Sequence, residues 1–307
     1  MKQFTARAYN NFKIDRLKDI VHKSSSTERL CDEINYYQRI HKTEFSCFFP
    51  RLFNHSLGEI NSLSLEYYPF DNLYQLEGGW EDVAEKLNCV LYFLHSAKHP
   101  SLSDAEVIHY KREMYIDKTL HYQKDLVDNF DFFRSLEKKK KVSVNGESVY
   151  TFSSIWPRVE ELITSTLLSS AEFSVIHGDL CFSNILFHKN TIKFIDPRGS
   201  FGMKGIYGDP LYDVAKLLHS FSGCYEAIIY DQFSLESNNS QINFCLEDKQ
   251  LKEAAKVFSD FERFNNPKAK LIEGLIFIGM CSRHYDSPKR QRVMYARGLK
   301  ILNDLIK

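Results

Sequence analysis

Apolar residues recur at helical spacing in three stretches of this chain. Between residues 80 and 97, Val83, Leu87, Val90, Leu91 and Leu94 fall on one face, which predicts a core-facing helix. Residues 154–168 repeat the pattern with Ile155, Val159, Leu162 and Ile163, and residues 27–40 carry it at Leu30, Ile34 and Tyr37. Elsewhere the period drops to two. Residues 62–68 alternate polar and apolar side chains before Pro69, and residues 19–23 read as another short strand. Apolar runs at 173–176, 185–187 and 192–195 predict three more strands. The last two are joined by the turn-like His188-Lys189-Asn190 into a hairpin. Asn145-Gly146 is a second hairpin signal, and the four lysines at 138–141 before it read as a solvated run. Residues 1–75 thus mix short strands with one helix. The remainder is largely helical around a β-loop-β unit at 173–195, an α+β pattern.

Composition acts mainly by exclusion. At 307 residues and 43% hydrophobic, the chain can hold a sizeable core in one large or two modest domains. Lys plus Arg equals Asp plus Glu at 40 each, so no global field draws it to nucleic acid or to a membrane surface. The longest apolar run near the C-terminus, residues 275–281, is far too short to span a bilayer. Met1-Lys2-Gln3-Phe4 begins no signal peptide, so a cytoplasmic location is expected. Seven cysteines, odd in number and without a CxxC pair, predict reduced thiols and neither disulfides nor a zinc site. No repeat and no low-complexity linker interrupts the chain.

The chemistry lies between the predicted strands at 173–176 and 185–187. His177-Gly178-Asp179 is followed by Asn184, five positions beyond Asp179, and then by Asp196, twelve beyond Asn184. Carboxylates at the mouths of strands sit next to a core without being buried in it. Protein kinases space their catalytic loop in this way: one Asp accepts the hydroxyl proton, while the Asn and a second Asp hold Mg²⁺ against the phosphates. Phosphoryl transfer needs this division because the nucleophile must be oriented while phosphate charge is neutralised. A bare His-Gly-Asp triplet is a weak signal, whereas four residues at these spacings between two strands are a specific one. Cys181 inside the loop reads as a spacer, since no base is implied for it.

With Ile195-Asp196 and Gly208-Asp209-Pro210-Leu211-Tyr212-Asp213 added, residues 173–220 resemble the aminoglycoside phosphotransferase and choline kinase superfamily, protein-kinase-like enzymes that phosphorylate small molecules. Protein kinases carry HRD and DFG where this chain has HGD and ID, which argues against a protein substrate. The resemblance implies a bilobal fold: a small β-rich lobe at 1–75 that covers the nucleotide, and a larger, mostly helical catalytic and substrate lobe at 76–307. It implies Asp179 as the catalytic base, Asn184 and Asp196 as Mg²⁺ ligands, Lys23 on a strand for the α- and β-phosphates, and Glu33 on the next helix to hold that lysine. Backbone groups from Glu66 to Tyr68 are expected to meet the purine. Asp213 is expected to brace the catalytic loop, with His177 structural. The phosphate-covering loop is expected at residues 7–14, which contain no glycine; Asn10-Asn11 are the residues suited to a tight turn there.

The acceptor is signalled more faintly. Arg198 follows Asp196 by two residues, within reach of phosphates or an anionic acceptor. Residues 281–300 carry Arg283, Lys289, Arg290, Arg292, Arg297 and Lys300 against Asp286 alone, a basic stretch that disfavours polycationic acceptors. Arg198, Asp209 and Arg283 are the substrate candidates. The expectation is a kinase that moves the γ-phosphate of ATP (or GTP), with Mg²⁺, to a hydroxyl of a small metabolite: a sugar, sugar derivative or amino alcohol for surface-glycan or lipid precursors. The alternatives are a nucleotide-binding regulatory pseudokinase and an aminoglycoside phosphotransferase. No nucleic-acid partner and no membrane insertion are expected.

Overall fold

The computed structural model describes residues 10–307. Strands β1 (Asn10–Asp15) and β2 (Ile20–Ser25) lead into helix α1 (Glu28–Ile40). Strands β3 (Leu52–Ser56), β4 (Asn61–Glu66) and β5 (Asp71–Asn72) precede α2 (Trp80–Ser96). Helices α3 (Asp104–Arg112), α4 (Lys118–Asn129) and α5 (Asp131–Glu137) follow, with a π-helical turn at Glu113–Asp117. Next come β6 (Lys141–Val144), β7 (Glu147–Tyr150), α6 (Phe152–Thr166), β8 (Ser174–Val175), β9 (Ile185–His188) and β10 (Thr191–Phe194). The short strands β11 (Ser200–Phe201), β12 (Met203–Lys204) and β13 (Tyr207–Gly208) lead to α7 (Pro210–Phe221) and α8 (Tyr225–Ile229). Strands β14 (Phe233–Asn238) and β15 (Gln241–Leu246) and helices α9 (Lys249–Phe258), α10 (Pro267–Cys281) and α11 (Pro288–Leu305) complete the chain.

Two compact units emerge, and neither is a continuous segment. Unit 1 comprises residues 1–100 and 173–213; unit 2 comprises 101–172 and 214–307. The boundary expected at 75/76 falls inside unit 1, because the catalytic-loop segment clusters with the first hundred residues.

Unit 1 opens with an antiparallel sheet in the order β1-β2-β4-β3. Along β4, Asn61, Leu63 and Leu65 are buried while the residues between them are not, the alternation a half-buried strand requires. Facing α1 buries Leu30, Ile34, Tyr36, Tyr37 and Ile40. Lys23 pairs with Leu63 across the sheet, and cross-strand partners point to the same side. The register therefore delivers the Lys23 side chain to the α1 side. The β1–β2 hairpin corrects one expectation. Asn10 and Asn11 pair with Ser25 and Ser24 inside the ladder, and the turn lies at 16–19, where Asp15 Oδ1 accepts from Leu17 N and Lys18 N. Residues 7–9 of the expected phosphate loop lie outside the described residues.

The rest of unit 1 holds the segment from His177 to Asp196. Helix α2 buries Trp80, Val83, Leu87, Val90, Leu91 and Leu94, the stripe read from periodicity, and Trp80 stacks on Phe182 with centroids 5.6 Å apart. Strands β9 and β10 form the predicted hairpin and pair with β5, while β8 pairs with β13. The loop from Ile176 to Asn184 is thereby pinned at both ends.

In unit 2, α10 packs against α11 and α4 and is buried nearly all round, which accounts for the apolar run at 275–281 as core. Among the described residues no helix is long and apolar enough to cross a membrane. A second four-stranded sheet, β14-β15-β6-β7, joins the predicted 141–150 hairpin to one at 233–246 that the hydrophobic pattern did not single out. The basic C-terminal stretch is no open cationic face. Arg290 makes two parallel bonds to Asp231, Lys300 bonds Glu147 at 2.6 Å, Arg292 donates to Ser237 and lies over Phe132, and Arg297 donates to the Ser222 carbonyl. These guanidinium and ammonium groups are committed within unit 2, so they carry no argument about acceptor charge.

Candidate active site

The catalytic loop is built on Asp213 and His177. Asp213, fully buried, accepts from His177 N at 2.8 Å and Gly178 N at 2.7 Å, and His95 Nε2 lies 3.3 Å from it. His177 Nδ1 accepts from Asp179 N, which leaves Nε2–H to donate to the Ile195 carbonyl at 2.9 Å. One ring thus ties the loop to the strand that leads to Asp196. Burial depresses the His177 pKa, against Asp213 and Asp179, which raise it, so the ring is neutral. Gly178 has φ of +79°, and a Cβ there would meet Arg198 Cβ at 2.8 Å, so this position takes glycine alone.

The candidate reacting groups hang from this frame. Asp179, about a quarter exposed, pairs its Oδ2 with Arg29 Nη2 at 2.9 Å. Asn184 spends its amide N–H on the Asp179 carbonyl at 2.8 Å, which orients the side chain and leaves Oδ1 as the atom suited to a metal. Asp196 adopts the left-handed backbone (φ +56°), a conformation rare outside glycine and concentrated at functional sites. Its half-exposed carboxylate meets Lys23 Nζ at 3.1 Å, and Lys23 bonds Glu33 at 2.6 Å. Burial alone would lower the Lys23 pKa, but Asp196 and Glu33 together hold it above the usual range. Burial lifts the Glu33 carboxyl to about 7, against the pull of Lys23.

Asp196 and Asn184 offer a carboxylate and an amide oxygen, hard donors that fit Mg²⁺. Among the described residues no cluster of three or more His, Cys, Asp or Glu could hold a metal alone.

Other expected positions are placed less directly. Arg198 donates to Tyr212 OH at 3.0 Å and lies over its ring, while its backbone N–H bonds the His177 carbonyl; it braces the loop as well as facing it. Asp209 is fully buried and accepts from Leu211 N at the start of α7, so it is a helix cap and is withdrawn as an acceptor contact. Arg283 lies in unit 2 and donates to Tyr122 OH at 2.9 Å. The Tyr68 hydroxyl donates to the Glu66 carboxylate at 2.8 Å, both side chains line a cavity of about 260 Å³ with His41, Cys47, Arg51 and Lys193, and the backbone N–H groups of Glu66 and Tyr67 bond the Arg51 and Asp19 carbonyls. Sequence reasoning missed Arg29, His95 and Tyr36, the last donating to the Ile176 carbonyl at 2.9 Å. Their partners lie more than a hundred residues away, and only a cation in the first turn of α1 was visible as a signal.

A base candidate, two hard-oxygen ligands and a buried lysine–glutamate pair in one unit are the parts of a phosphoryl-transfer site. Residues 75–233 match the model of the phosphotransferase enzyme family (APH). No curated protein sequence matches the chain. Among solved structures, aminoglycoside phosphotransferase APH(4)-Ia is similar with a TM-score of 0.58 and 10% identity, over 99% of this chain and 92% of that one. A thermostable mutant of APH(4)-Ia in ternary complex with AMP-PNP and hygromycin B gives a TM-score of 0.58 and 12% identity over the same shares. At such identities the likeness shows a common protein-kinase-like α+β fold. The family match spans just over half of the chain and includes Asp179, Asn184, Asp196 and Asp213. The chain belongs to the phosphotransferase enzyme family.

Proposed function

We propose that this phosphotransferase is a small-molecule kinase that moves the γ-phosphoryl group of ATP, or GTP, to a hydroxyl of a sugar or sugar derivative. The observation that carries the reading is the convergence of Lys23, Glu33, Asp179, Asn184 and Asp196, with Lys23 and Asp196 bonded across 173 positions of sequence. Asp179 would orient the acceptor hydroxyl and take its proton. Asp196 and Asn184 would hold Mg²⁺, which when bound neutralises charge on the phosphates. Lys23, steadied by Glu33, would turn from Asp196 to the α- and β-phosphates. The seven free cysteines suit a reducing cytoplasm.

Acceptor charge is argued from Arg29, whose guanidinium lies 2.9 Å from Asp179. As Asp179 takes up the hydroxyl proton its charge no longer offsets that of Arg29, whose guanidinium then repels ammonium groups near the reacting hydroxyl, which favours neutral or anionic sugars over amino alcohols and polycations. The second reading, an aminoglycoside kinase, draws on the hygromycin B complex of APH(4)-Ia. A coupled assay of nucleoside diphosphate release over neutral, anionic and cationic hydroxyl compounds decides between them. The highest kcat/KM is expected for a neutral or anionic sugar. A polycation as best acceptor favours the second reading, and no turnover with any compound favours a regulatory nucleotide-binding protein.

A further inference from the structure

The first turn of α1 carries Arg29 next to the acidic Glu28, and the guanidinium reaches across to the loop that holds Asp179. Arg29 Nη2 donates to Asp179 Oδ2 at 2.9 Å across 150 positions of sequence. Arg29 and Glu33 are four residues apart and share a helix face, and Glu33 engages Lys23, which engages Asp196. One face of α1 thus addresses both the candidate base and the phosphate-binding lysine. The Arg29 side chain is 45% exposed, whereas Arg198 is anchored on Tyr212.

We propose that Arg29 is a further catalytic residue, whose guanidinium binds the transferring phosphoryl group when nucleotide and acceptor are in place. The inference rests on the kinase reading. A hydroxyl that gives its proton to Asp179 lies about 2.6–3.2 Å from it. That hydroxyl attacks phosphorus from about 3–3.5 Å. A guanidinium already bonded to Asp179 is therefore one side-chain rotation from the γ-phosphoryl oxygens, and its planar fork matches two of them. Lys23 cannot serve there while it holds the α- and β-phosphates. In the step, the acceptor oxygen bonds to phosphorus, the bond from phosphorus to the β–γ bridging oxygen breaks with its electron pair leaving on the nucleoside diphosphate, and the hydroxyl proton passes to Asp179. Arg29 exchanges no bond and no proton; it meets the charge on the equatorial oxygens. In the resting enzyme, Asp179 is its placeholder partner.

Calorimetry on the full chain tests this without knowing the acceptor, using Mg·ADP alone and Mg·ADP with tetrafluoroaluminate, a mimic of the phosphoryl group in flight. Arg29→Ala and Arg29→Gln should bind Mg·ADP within about threefold of wild type yet lose at least about tenfold of the tetrafluoroaluminate gain, with Arg29→Lys between. MgATP turnover should fall about 10²–10³-fold with little change in the KM for ATP. Added guanidinium ion should restore part of it in Arg29→Ala only. Full retention of the tetrafluoroaluminate gain and of turnover in both neutral variants would overturn the inference. So would an equal loss of plain Mg·ADP binding, which would make Arg29 a prop for α1. A wild type that binds no Mg·ADP would instead overturn the kinase reading.

Discussion

Three aspartates of the candidate site differ sharply in their surroundings. Asp213 is fully buried and accepts from two backbone amides, Asp196 is half exposed on left-handed backbone beside Lys23, and Asp179 stands between them with Arg29. Asp179→Asn keeps the shape but cannot take a proton, so turnover should drop about 10²–10⁴-fold while nucleotide binding stays within a few-fold. Near-native turnover in a steady-state assay would remove Asp179 from its role. His177 supports a prediction about pH. Its folded pKa is depressed by burial, so the stability it contributes is present above 6.5 and is lost as pH falls, by up to about 1.4 kcal/mol per unit until the folded pKa is reached. Glu33, raised to about 7, works in the opposite sense, its contribution being lost as pH rises from 4.5 through 7, but it is common to wild type and variant and cancels between them. The stability advantage of wild type over His177→Gln should therefore shrink between pH 7.5 and pH 5.5 in denaturant titrations. A constant difference would mean that burial does not shift the ring's titration, and an advantage that grows as pH falls would mean that the ring is protonated in the fold. At this scale the legible residues were those fixed by local spacing, namely His177, Asp179, Asn184 and Asp196. Arg29 and His95 were not legible, because nothing near them in sequence reports partners 150 and 118 positions away.

Helix α1 is the element on which the site turns, since Glu33 and Arg29 both leave from it. It sits directly on the loop after Asp196. Gly199 has φ of +71°, and a Cβ there would lie 2.1 Å from the Asp32 carbonyl oxygen, a backbone atom that cannot swing aside. Gly199→Ala must therefore shift α1 or the loop. It should cost about 1–3 kcal/mol of stability by overpacking, and turnover should fall further than the thermal shift implies because Glu33 and Arg29 move with the helix. Full activity at native stability would show that the loop yields without moving α1. Elements with a strong one-sided stripe were readable from sequence: α2 and α6 lie within two residues of their expected bounds. The 233–246 hairpin was not singled out, although Asn238-Asn239-Ser240 separates two alternating runs. Its strands are mostly half exposed, and its partner β6 lies about a hundred residues earlier, so no single window shows a buried face. The family plan implies a loop at residues 7–14, yet the pairing of residues 10–14 with β2 places the turn later.

Discontinuity explains why the division into units was hidden. Residues 173–213 cluster with 1–100 through contacts that skip some seventy residues, and hydrophobic periodicity reports only on near neighbours. The site is therefore assembled wholly within unit 1 from both of its segments: Lys23, Arg29 and Glu33 from the first, Asp179, Asn184 and Asp196 from the second. A ligand that bridges those segments should stabilise the fold by mass action. At a hundred times its Kd, nucleotide adds about 2.7 kcal/mol, enough to raise the melting temperature by several degrees in a chain of this size. On the proposed assignment Asp196 and Asn184 hold Mg²⁺ together with the phosphates of the nucleotide, so the rise should need Mg²⁺ and nucleotide together and vanish with chelator. Asp196→Ala should abolish the Mg²⁺-dependent part. Asn184→Ala should only reduce it, because water replaces a neutral carbonyl ligand more easily than a carboxylate. Differential scanning calorimetry of the three proteins, with ADP and with or without Mg²⁺, reads these differences. A thermal rise indifferent to both Mg²⁺ and Asp196 would mean that the carboxylate beside Lys23 serves the ion pair alone, and the metal assignment would have to be sought elsewhere in the chain.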